Sequence, residues 1–433
     1  MLPQPNDHPD GSAFTLAELR RMSLAELRAA AAARGVAEPA EVERAELVVS
    51  LARHAAGPGG LGRGDGLLSV RPEGYGFLRW RAGGASAQAD DIYVSQSQIR
   101  RLRLQPGNHV AGLVRVPKSG ETHLALVHAE AVEGRSPDAG AARVPFRYLT
   151  PVVPHRPFAL GYPDGPETLR MLDVLAPIVH GHRVVVRCPR EAQPLELLAE
   201  VVRGTRHNHP DTRVLVLAVD QRPEALAALQ PFAADPAVEL FPSTFDEPPQ
   251  RHADLATLVA GRVQRLVEAG VDTLLLVDSW NALVQAGNLT VTHSGRILSA
   301  GLDSNALLTA KQLLASARQT EEGASLTVVG CLLDAPESHT ARTVAEQLDA
   351  VANGIVVLDR ELVTRGVWPG IDCSATHSRW DAASGALRAP WRERLRSALD
   401  RLPVAAAHEQ LQTWLREAPD EARFEALLDD SGS

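Results

Sequence analysis

Residues 183–196 read Arg-Val-Val-Val-Arg-Cys-Pro-Arg-Glu-Ala-Gln-Pro-Leu-Glu, and this stretch decides the fold of the larger part of the chain. Its unbroken valine run predicts a strand, Arg183–Arg187, that is buried on both faces of a sheet. Similar apolar runs follow at Arg213–Val219, Thr273–Val277, Ser325–Leu333 and Gly354–Leu358. Helical patterns separate these runs, so the sequence predicts a doubly wound α/β domain with a parallel sheet, followed by a helical carboxy terminus.

The segment after the first of these strands, residues 188–196, lacks the chemistry of a phosphate-binding loop. Such a loop needs glycines so that backbone N–H groups can wrap the phosphates, a lysine for the outer phosphates and a hydroxyl for magnesium. Here the segment has no glycine, no lysine, no serine and no threonine, and Pro194 removes one more N–H donor. Glu191 and Glu196 add negative charge. The sequence therefore predicts weak binding of a polyphosphate.

A second region, residues 61–135, has the texture of a small β-barrel, with five short strands separated by turn residues. Within it, residues 73–79 read Glu-Gly-Tyr-Gly-Phe-Leu-Arg. Tyr75 and Phe77 are two residues apart, which places them on one face of a strand, and Arg79 shares that face. The same spacing also fits Tyr75 and Phe77 as core residues of the barrel.

Aromatic rings on one barrel face, together with an arginine, form a stacking platform for unpaired bases. Asp91 and Tyr93 follow in the next predicted strand, and an aspartate can accept a hydrogen bond from the amino group of cytosine. The sequence therefore predicts a surface for unpaired bases, with Tyr75, Phe77, Arg79, Asp91 and Tyr93 as its candidate residues.

The amino-terminal part, residues 14–56, has leucines at helical spacing and predicts a small helical module. Ser23 followed by Glu26 is a capping-box pattern, and Gly35 is placed to end that helix. The glycines from Gly57 to Gly64 indicate a flexible linker before the barrel. The predicted domains are thus residues 14–56, 61–135 and 141–430.

Composition narrows the remaining classes of function. The 433 residues contain 44 Lys+Arg and 53 Asp+Glu, a formal net charge of −9, which argues against a uniformly basic surface. Cys188, Cys331 and Cys373 have neither a disulfide framework nor zinc-site spacing, as expected in a reducing cytoplasm. No apolar run is long enough for a membrane span, and no residue pattern predicts a metal site.

Several segments stand in the order found in one family: EGYGFLRW (73–80), DDIYVSQSQIRRLRLQPG (90–107), NHPDTRVLVLAVDQRPEAL (208–226), STFDEPPQRH (243–252), LLLVDSWNAL (274–283), SGRILSAGLDSNAL (294–307) and ARQTEEGASLTVV (317–329). The chain resembles the transcription termination factor Rho family from about residue 14 to residue 428. The resemblance implies a small helical domain, a cold-shock-like (OB-type) RNA-binding barrel and a RecA-like ATPase domain. It also implies a six-membered ring with ATP and Mg²⁺ between neighbouring subunits and RNA threading the centre.

By this resemblance, the phosphate lysine falls at Pro194, the magnesium hydroxyl at Leu195 and the water-orienting carboxylate at Gln221. Residues of the family pattern that persist are Asp278 at a strand end, Arg222 beside the nucleotide, Arg360 as a subunit-crossing arginine and Arg296 in the central RNA loop. Gly181 and Arg183 are further candidates for nucleotide binding. Outside the family pattern, Asp278 is equally an aspartate that caps a turn, and Arg360 is equally a surface ion-pair partner.

Three functions follow as alternatives. The leading one is a cytoplasmic Rho-family factor or paralogue that binds pyrimidine-rich single-stranded RNA and forms a ring, with ATP hydrolysis lost. A second is an active ATP-dependent RNA translocase with a rebuilt phosphate site. A third is a regulatory scaffold that joins a mixed ring with another Rho. Further partners implied by the resemblance are RNA polymerase and elongation factors.

Overall fold

The computed structural model describes residues 13–36, 38–57, 60–80, 88–138, 143–290, 301–378, 390–418 and 421–431. Arg296, the predicted residue of the central RNA loop, lies outside these ranges. The chain divides into two compact units. One comprises Met1–Phe146 and Thr257–Arg265, and the other comprises Arg147–Ala256 and Leu266–Ser433.

The first unit begins with the predicted helical module. Its helices are α1 (Leu16–Arg21), α2 (Leu24–Ala32) and α3 (Arg44–Ala56). The capping box forms as predicted, because the Ser23 hydroxyl accepts the N–H of Glu26 while the Glu26 carboxylate accepts the N–H of Ser23. This exchange satisfies two N–H groups that the first helical turn would leave without partners.

Five strands of the first unit close into a barrel, and one more helix follows the third strand. The strands are β1 (Leu61–Val70), β2 (Gly76–Arg79), β3 (Ile92–Val94), β4 (His109–Arg115) and β5 (Leu124–Val132), and the helix is α4 (Gln96–Arg101). The order around the barrel is β1-β2-β3-β5-β4, and pairing of β4 with β1 closes it. Every pair is antiparallel except β3 with β5. The predicted five-stranded barrel is confirmed.

The helical module and the barrel share one hydrophobic core, formed by Leu16, Leu27 and Leu47 of the helices together with Leu78 and Ile92 of the strands. The glycines that the sequence assigned to a linker contribute to this packing. Gly62 and Gly64 are residues of β1, where Phe14 and Leu16 lie against the strand. A Cβ atom at Gly62 would come within 2.5 Å of the Phe14 ring. Glycine is needed there for close approach of the two elements rather than for flexibility.

The second unit is built on a mixed sheet. Its strands, in chain order, are β6 (Pro151–Val152), β7 (Arg183–Cys188), β8 (Arg213–Gln221), β9 (Val238–Thr244), β10 (Thr273–Val277), β11 (Arg318–Thr320), β12 (Ser325–Leu333), β13 (Gly354–Val357) and β14 (His377–Ser378). The main path runs β14-β13-β7-β12-β10-β8-β9, and β11 joins β12 to β6. All pairs from β13 to β9 are parallel, as the buried apolar runs predict.

Helices flank and follow this sheet. They are α5 (Glu167–Leu175), α6 (Pro194–Asn208), α7 (Pro249–Glu268), α8 (Trp280–Thr290), α9 (Ser304–Ala315), α10 (His339–Asp349), α11 (Arg360–Thr364), α12 (Pro390–Leu399), α13 (Val404–Glu417) and α14 (Glu421–Ser431). In the described ranges, no helix is long and apolar enough to span a bilayer. The three cysteines are buried free thiols.

The predicted RecA-like α/β domain with a helical carboxy terminus is confirmed, with strand ends that differ from prediction by one or two residues. Strand β9 was missed because Pro242 interrupts its apolar pattern. Short edge strands β6, β11 and β14 were missed because two or three residues give no periodic signal.

Candidate functional site

Three aromatic rings meet on the outside of the barrel. Phe77 of β2 lies directly opposite Tyr93 of β3 and opposite Ser69 of β1, and Tyr75 lies in the turn just before β2. The ring centroids of Tyr75 and Phe77 are 5.8 Å apart, those of Tyr75 and Tyr93 are 5.7 Å apart, and those of Phe77 and Tyr93 are 6.0 Å apart. We refer to Tyr75, Phe77 and Tyr93 as the aromatic face.

The aromatic face is accessible to a ligand. Tyr93 is 36% exposed, and Tyr75 and Phe77 are half-buried. None of the three belongs to the barrel core, whose strand residues include Leu68, Leu78 and Ile92 from the opposite side of the pleat. The geometry favours the prediction of a surface platform over the alternative of core packing.

A fourth ring extends the aromatic face. His123, which immediately precedes β5, packs edge-on against Phe77 with centroids 5.0 Å apart. Tyr93 and His123 also line a cleft of about 560 Å³, together with Arg115, Glu121 and Gln98. Burial lowers the pKa of His123, so the ring is neutral at pH 7 and can stack as an aromatic group. Sequence reasoning missed His123. The sequence did place this imidazole ring at the start of the last predicted barrel strand.

Arg79 and Asp91 are buried beside this face. Each is only 2% exposed, whereas the sequence placed Arg79 on the open surface with the aromatic rings. Asp91 Oδ2 accepts the backbone N–H of Gln88 at 3.0 Å, while Oδ1 has no hydrogen-bond partner among the described residues. Burial raises the pKa of Asp91 to about 6, although the positive charge of Arg79 opposes this rise. With a pKa of about 6, Asp91 is largely ionised at neutral pH.

In the second unit, a cavity of about 880 Å³ opens at the carboxyl ends of the central strands. Its wall includes the segment from Cys188 to Glu196, the end of β8 from Asp220 to Arg222, and Asp278 after β10. Ligands of open α/β sheets bind at this edge, so its position is that of a nucleotide site. The Arg222 side chain has no hydrogen-bond partner in the described part of the chain.

The loop of this cavity lacks the lysine and the hydroxyl of a phosphate-binding loop. Pro194 is the first residue of helix α6 and supplies no N–H, while the side chain of Leu195 is turned into the core. Glu191 accepts a hydrogen bond from the Arg360 guanidinium at 2.6 Å, which lowers the pKa of Glu191. Arg360, predicted as a subunit-crossing arginine, is thus paired within its own chain.

In comparisons with known proteins, a segment of each unit matches a protein family. Residues 64–138 match the family described as Rho termination factor, RNA-binding domain, and residues 168–378 match the ATP synthase alpha/beta family, nucleotide-binding domain. The transcription termination factor Rho of Rhodopirellula baltica is 36% identical over 374 residues, which are 86% of this chain and 73% of that protein. The same factor of Chromobacterium violaceum is 33% identical over 367 residues, 84% of this chain and 87% of that one.

The chain belongs to the Rho termination factor family. One solved structure, of a prototypical ATPase from the type III secretion system of pathogenic bacteria, aligns with a TM-score of 0.53 and 16% sequence identity. It covers 65% of this chain and 87% of that one, and at this identity it shows a shared fold alone. The RecA-like architecture of the second unit is therefore common to Rho-family proteins and to more distant ATPases.

Asp278 and Gln221, which the sequence resemblance assigned to the nucleotide site, both line this cavity. Asp278 is 1% exposed, its Oδ1 accepts the N–H of Val219 at 3.0 Å, and its Oδ2 has no partner in the described structure. Burial raises the pKa of Asp278 to about 8, so the carboxyl is largely neutral at pH 7. Gln221 stands beside Asp220, whose φ of 59° lies in the left-handed region, and an amide cannot take a proton from water.

Two other candidates for nucleotide binding do not line the cavity. Gly181 and Arg183 lie at the amino end of β7, whereas the cavity is at the carboxyl ends of the strands. The Arg183 guanidinium donates to the carbonyl oxygens of Val351 and Ala317, and its role in the structure is to hold these loops.

The Rho family implies ATP with Mg²⁺, and the residues of this cavity do not fit that pair. The loop supplies neither lysine nor hydroxyl, and its helix begins with proline, which removes one N–H donor. The walls near the loop carry Glu196, Asp220 and Glu224 as well as Arg190 and Arg222. The missing donors of the loop disfavour a bound triphosphate.

Proposed function

We propose that this Rho-family chain binds pyrimidine-rich single-stranded RNA through its barrel and has lost ATP hydrolysis. The observation that carries the RNA part is the aromatic face: three rings within 6.0 Å of one another, outside the core, inside the segment that matches the RNA-binding family. Stacking on such rings tolerates any base, so it supplies affinity but little selectivity.

Selectivity for cytosine comes from Asp91 in this proposal. Its Oδ1 atom, which has no partner among the described residues, would accept a hydrogen bond from the N4 amino group of cytosine, whereas uracil presents an acceptor at the equivalent position. Arg79, buried close enough to Asp91 to favour its ionised form, keeps the carboxylate charged. The site therefore combines stacking on Tyr75, Phe77 and Tyr93 with one polar contact to the base edge.

Loss of hydrolysis rests on the changed cavity. Phosphoryl transfer depends on positioned charges and a positioned water, and Pro194, Leu195 and Gln221 supply neither. An active translocase would need a new cation in the loop. Arg190 lies there but is drawn toward Glu337, 3.7 Å away, and Arg360 is paired with Glu191.

Assembly into a ring, alone or mixed with another Rho, is the further part of the proposal and is supported by family membership. Because nucleotide would not hold neighbouring subunits together, we expect RNA to promote the oligomer. Light scattering at micromolar protein, with and without oligocytidine, tests this. A monomer under both conditions would contradict ring formation, while leaving RNA binding to be judged by itself.

The decisive test of the RNA part is a fluorescence titration of the full chain with labelled oligocytidine and oligouridine at fixed salt. We expect binding of both and preference for oligocytidine. The matched variant is Phe77→Ala, which removes a ring from the platform. Binding that is absent in the unmodified chain, or unchanged in this variant, would overturn the proposal.

A further inference from the structure

Arg20 of helix α1 is the most unusual charged residue of the first unit. It is only 1% exposed, although it belongs to the small helical module and lies about seventy residues from the candidate RNA site in sequence. Its guanidinium donates from Nε to Asp90 Oδ2 at 2.7 Å, from Nη2 to the Asp90 carbonyl at 2.7 Å and from Nη1 to the Asp65 carbonyl at 3.1 Å.

These contacts fall beside the polar residues of the candidate RNA site. Asp90 directly precedes Asp91, and β3 with Tyr93 begins one residue later. The Arg20 guanidinium also lies over the ring of Trp80, 5.9 Å from its centroid, and Trp80 directly follows Arg79. One buried side chain thus touches the immediate neighbour of both Arg79 and Asp91.

Burial of a charged pair is a poor way to stabilise a fold. Apolar residues of similar volume often stabilise such a contact equally well, because an ion pair loses its hydration when it is buried. What a buried arginine with three directed hydrogen bonds does supply is a fixed geometry for the groups it holds. The Arg20–Asp90 pair fixes the backbone of Asp90 through its carbonyl as well as its carboxylate.

From these contacts we propose that Arg20 is a positioning residue of the RNA site: it sets the orientation of Asp91 and Arg79 from within the helical module and thereby determines the preference for cytosine. The module is then part of the recognition apparatus of the barrel. This inference rests on the proposed RNA binding. It does not require Arg20 to touch RNA, and it assigns to Arg20 selectivity rather than overall affinity.

The backbone of Arg20 is itself held in place. The guanidinium of Arg44, at the start of α3, donates to the carbonyl oxygens of Arg20 and Met22 at 2.7 and 2.6 Å. A chain of contacts therefore runs from α3 through the end of α1 to the Asp90 turn. Each link is a directed hydrogen bond, so displacement at Arg20 is expected to reach Asp91 rather than to be absorbed locally.

The test compares Arg20→Met and Arg20→Lys with the unmodified full chain in titrations with oligocytidine and oligouridine of equal length. Methionine keeps the length and loses the charge and all three hydrogen bonds. We expect the ratio of the two affinities to fall about tenfold, the discrimination of one polar base contact. Binding to oligouridine and the dependence of affinity on salt should stay close to those of the unmodified chain. Lysine, which keeps the charge, should restore part of the preference.

Phe14→Leu is the matched control, because Phe14 joins the same module to β1 by an apolar contact. It should lower the unfolding temperature without changing the ratio. If Arg20→Met does not fold, Asp90→Asn removes the charge of the partner at nearly constant shape and should reduce the ratio in the same direction. A folded Arg20→Met or Asp90→Asn protein with the unmodified preference would overturn the inference. If the unmodified chain binds no RNA, the proposed function fails, and the inference fails with it.

Discussion

The barrel face and the β7–α6 loop are two candidate ligand sites that differ in how many ligand-binding groups their residues supply. In the barrel, Tyr75, Phe77 and Tyr93 lie together on the surface, with a charged aspartate and arginine buried beside them. The loop from Cys188 to Glu196 contains no glycine, lysine, serine or threonine, and Arg190 is its single cation. We propose that the second unit keeps its fold although the groups for phosphoryl transfer are replaced. A match to a family establishes the fold. Whether the site keeps its chemistry must be judged from the individual residues.

Measuring ATP hydrolysis is the strongest test of the difference between the barrel face and the β7–α6 loop. We expect the full chain with oligocytidine RNA to release no phosphate from labelled ATP above background. Loss of a single electrostatic donor typically costs about 2–4 kcal/mol of barrier, and three groups are changed here. RNA-stimulated release by the unmodified chain would restore the translocase alternative.

The same phosphate-release assay on variants with restored nucleotide-site residues tests which missing group limits hydrolysis. Pro194→Lys with Leu195→Thr should recover little hydrolysis, because Gln221 still cannot orient water as a carboxylate does. Adding Gln221→Glu should recover more than either change alone. Equal activity of the double and triple variants would show that the carboxylate is not limiting.

The next largest effect is expected on the barrel. Tyr93→Ala and Phe77→Ala should each weaken RNA binding by about 1–3 kcal/mol, because each removes one stacking surface. Unfolding temperature should change little, since neither ring belongs to the core. Leu195→Ala in the other unit is the control: it should reduce stability and leave RNA affinity unchanged. A large loss of stability in Phe77→Ala would support the core interpretation instead.

A smaller, pH-dependent effect should distinguish stacking from the polar contact. Asp91 must be ionised to accept from cytosine, and burial raises its pKa to about 6. The affinity for oligocytidine should therefore fall severalfold as pH drops from 7 to 5, as the carboxylate takes up a proton. Asp91→Asn should remove most of this dependence. A profile that is unchanged in Asp91→Asn would assign the titration to another group.

The smallest effect is expected for the ion pair that occupies the loop. Arg360 and Glu191 are both accessible to solvent, so their pairing contributes little to stability. Arg360→Met should leave the unfolding temperature unchanged within about 1 °C and should not restore ATP binding, because the lysine and hydroxyl are still missing. ATP binding gained by this variant, measured by calorimetry, would show that the pair itself blocks the site.

The sequence was sufficient for the architecture because parallel strands and aromatic pairs leave strong local signals. The valine run of β7 and the two-residue spacing of Tyr75 and Phe77 are both recognisable from residues that are neighbours in the sequence. Burial of Arg79 and Asp91, the contact of His123 with Phe77 and the position of Arg20 arise from pairings between distant segments. A pattern confined to a few residues contains no information on such pairings, and the glycines of β1 were misread as a linker for the same reason.

The glycines of β1 have a practical consequence for dissecting the chain by deletion. A boundary drawn at Gly57 looks natural from composition, yet a fragment beginning at Leu61 would lose the Phe14 and Leu16 side chains that cover Gly62 and Gly64. The uncovered strand would present bare backbone and apolar surface to water, conditions that favour aggregation. The smallest soluble fragment suited to studying the barrel therefore begins before Phe14, and experiments on a shorter one would report on an exposed edge rather than on the intact site.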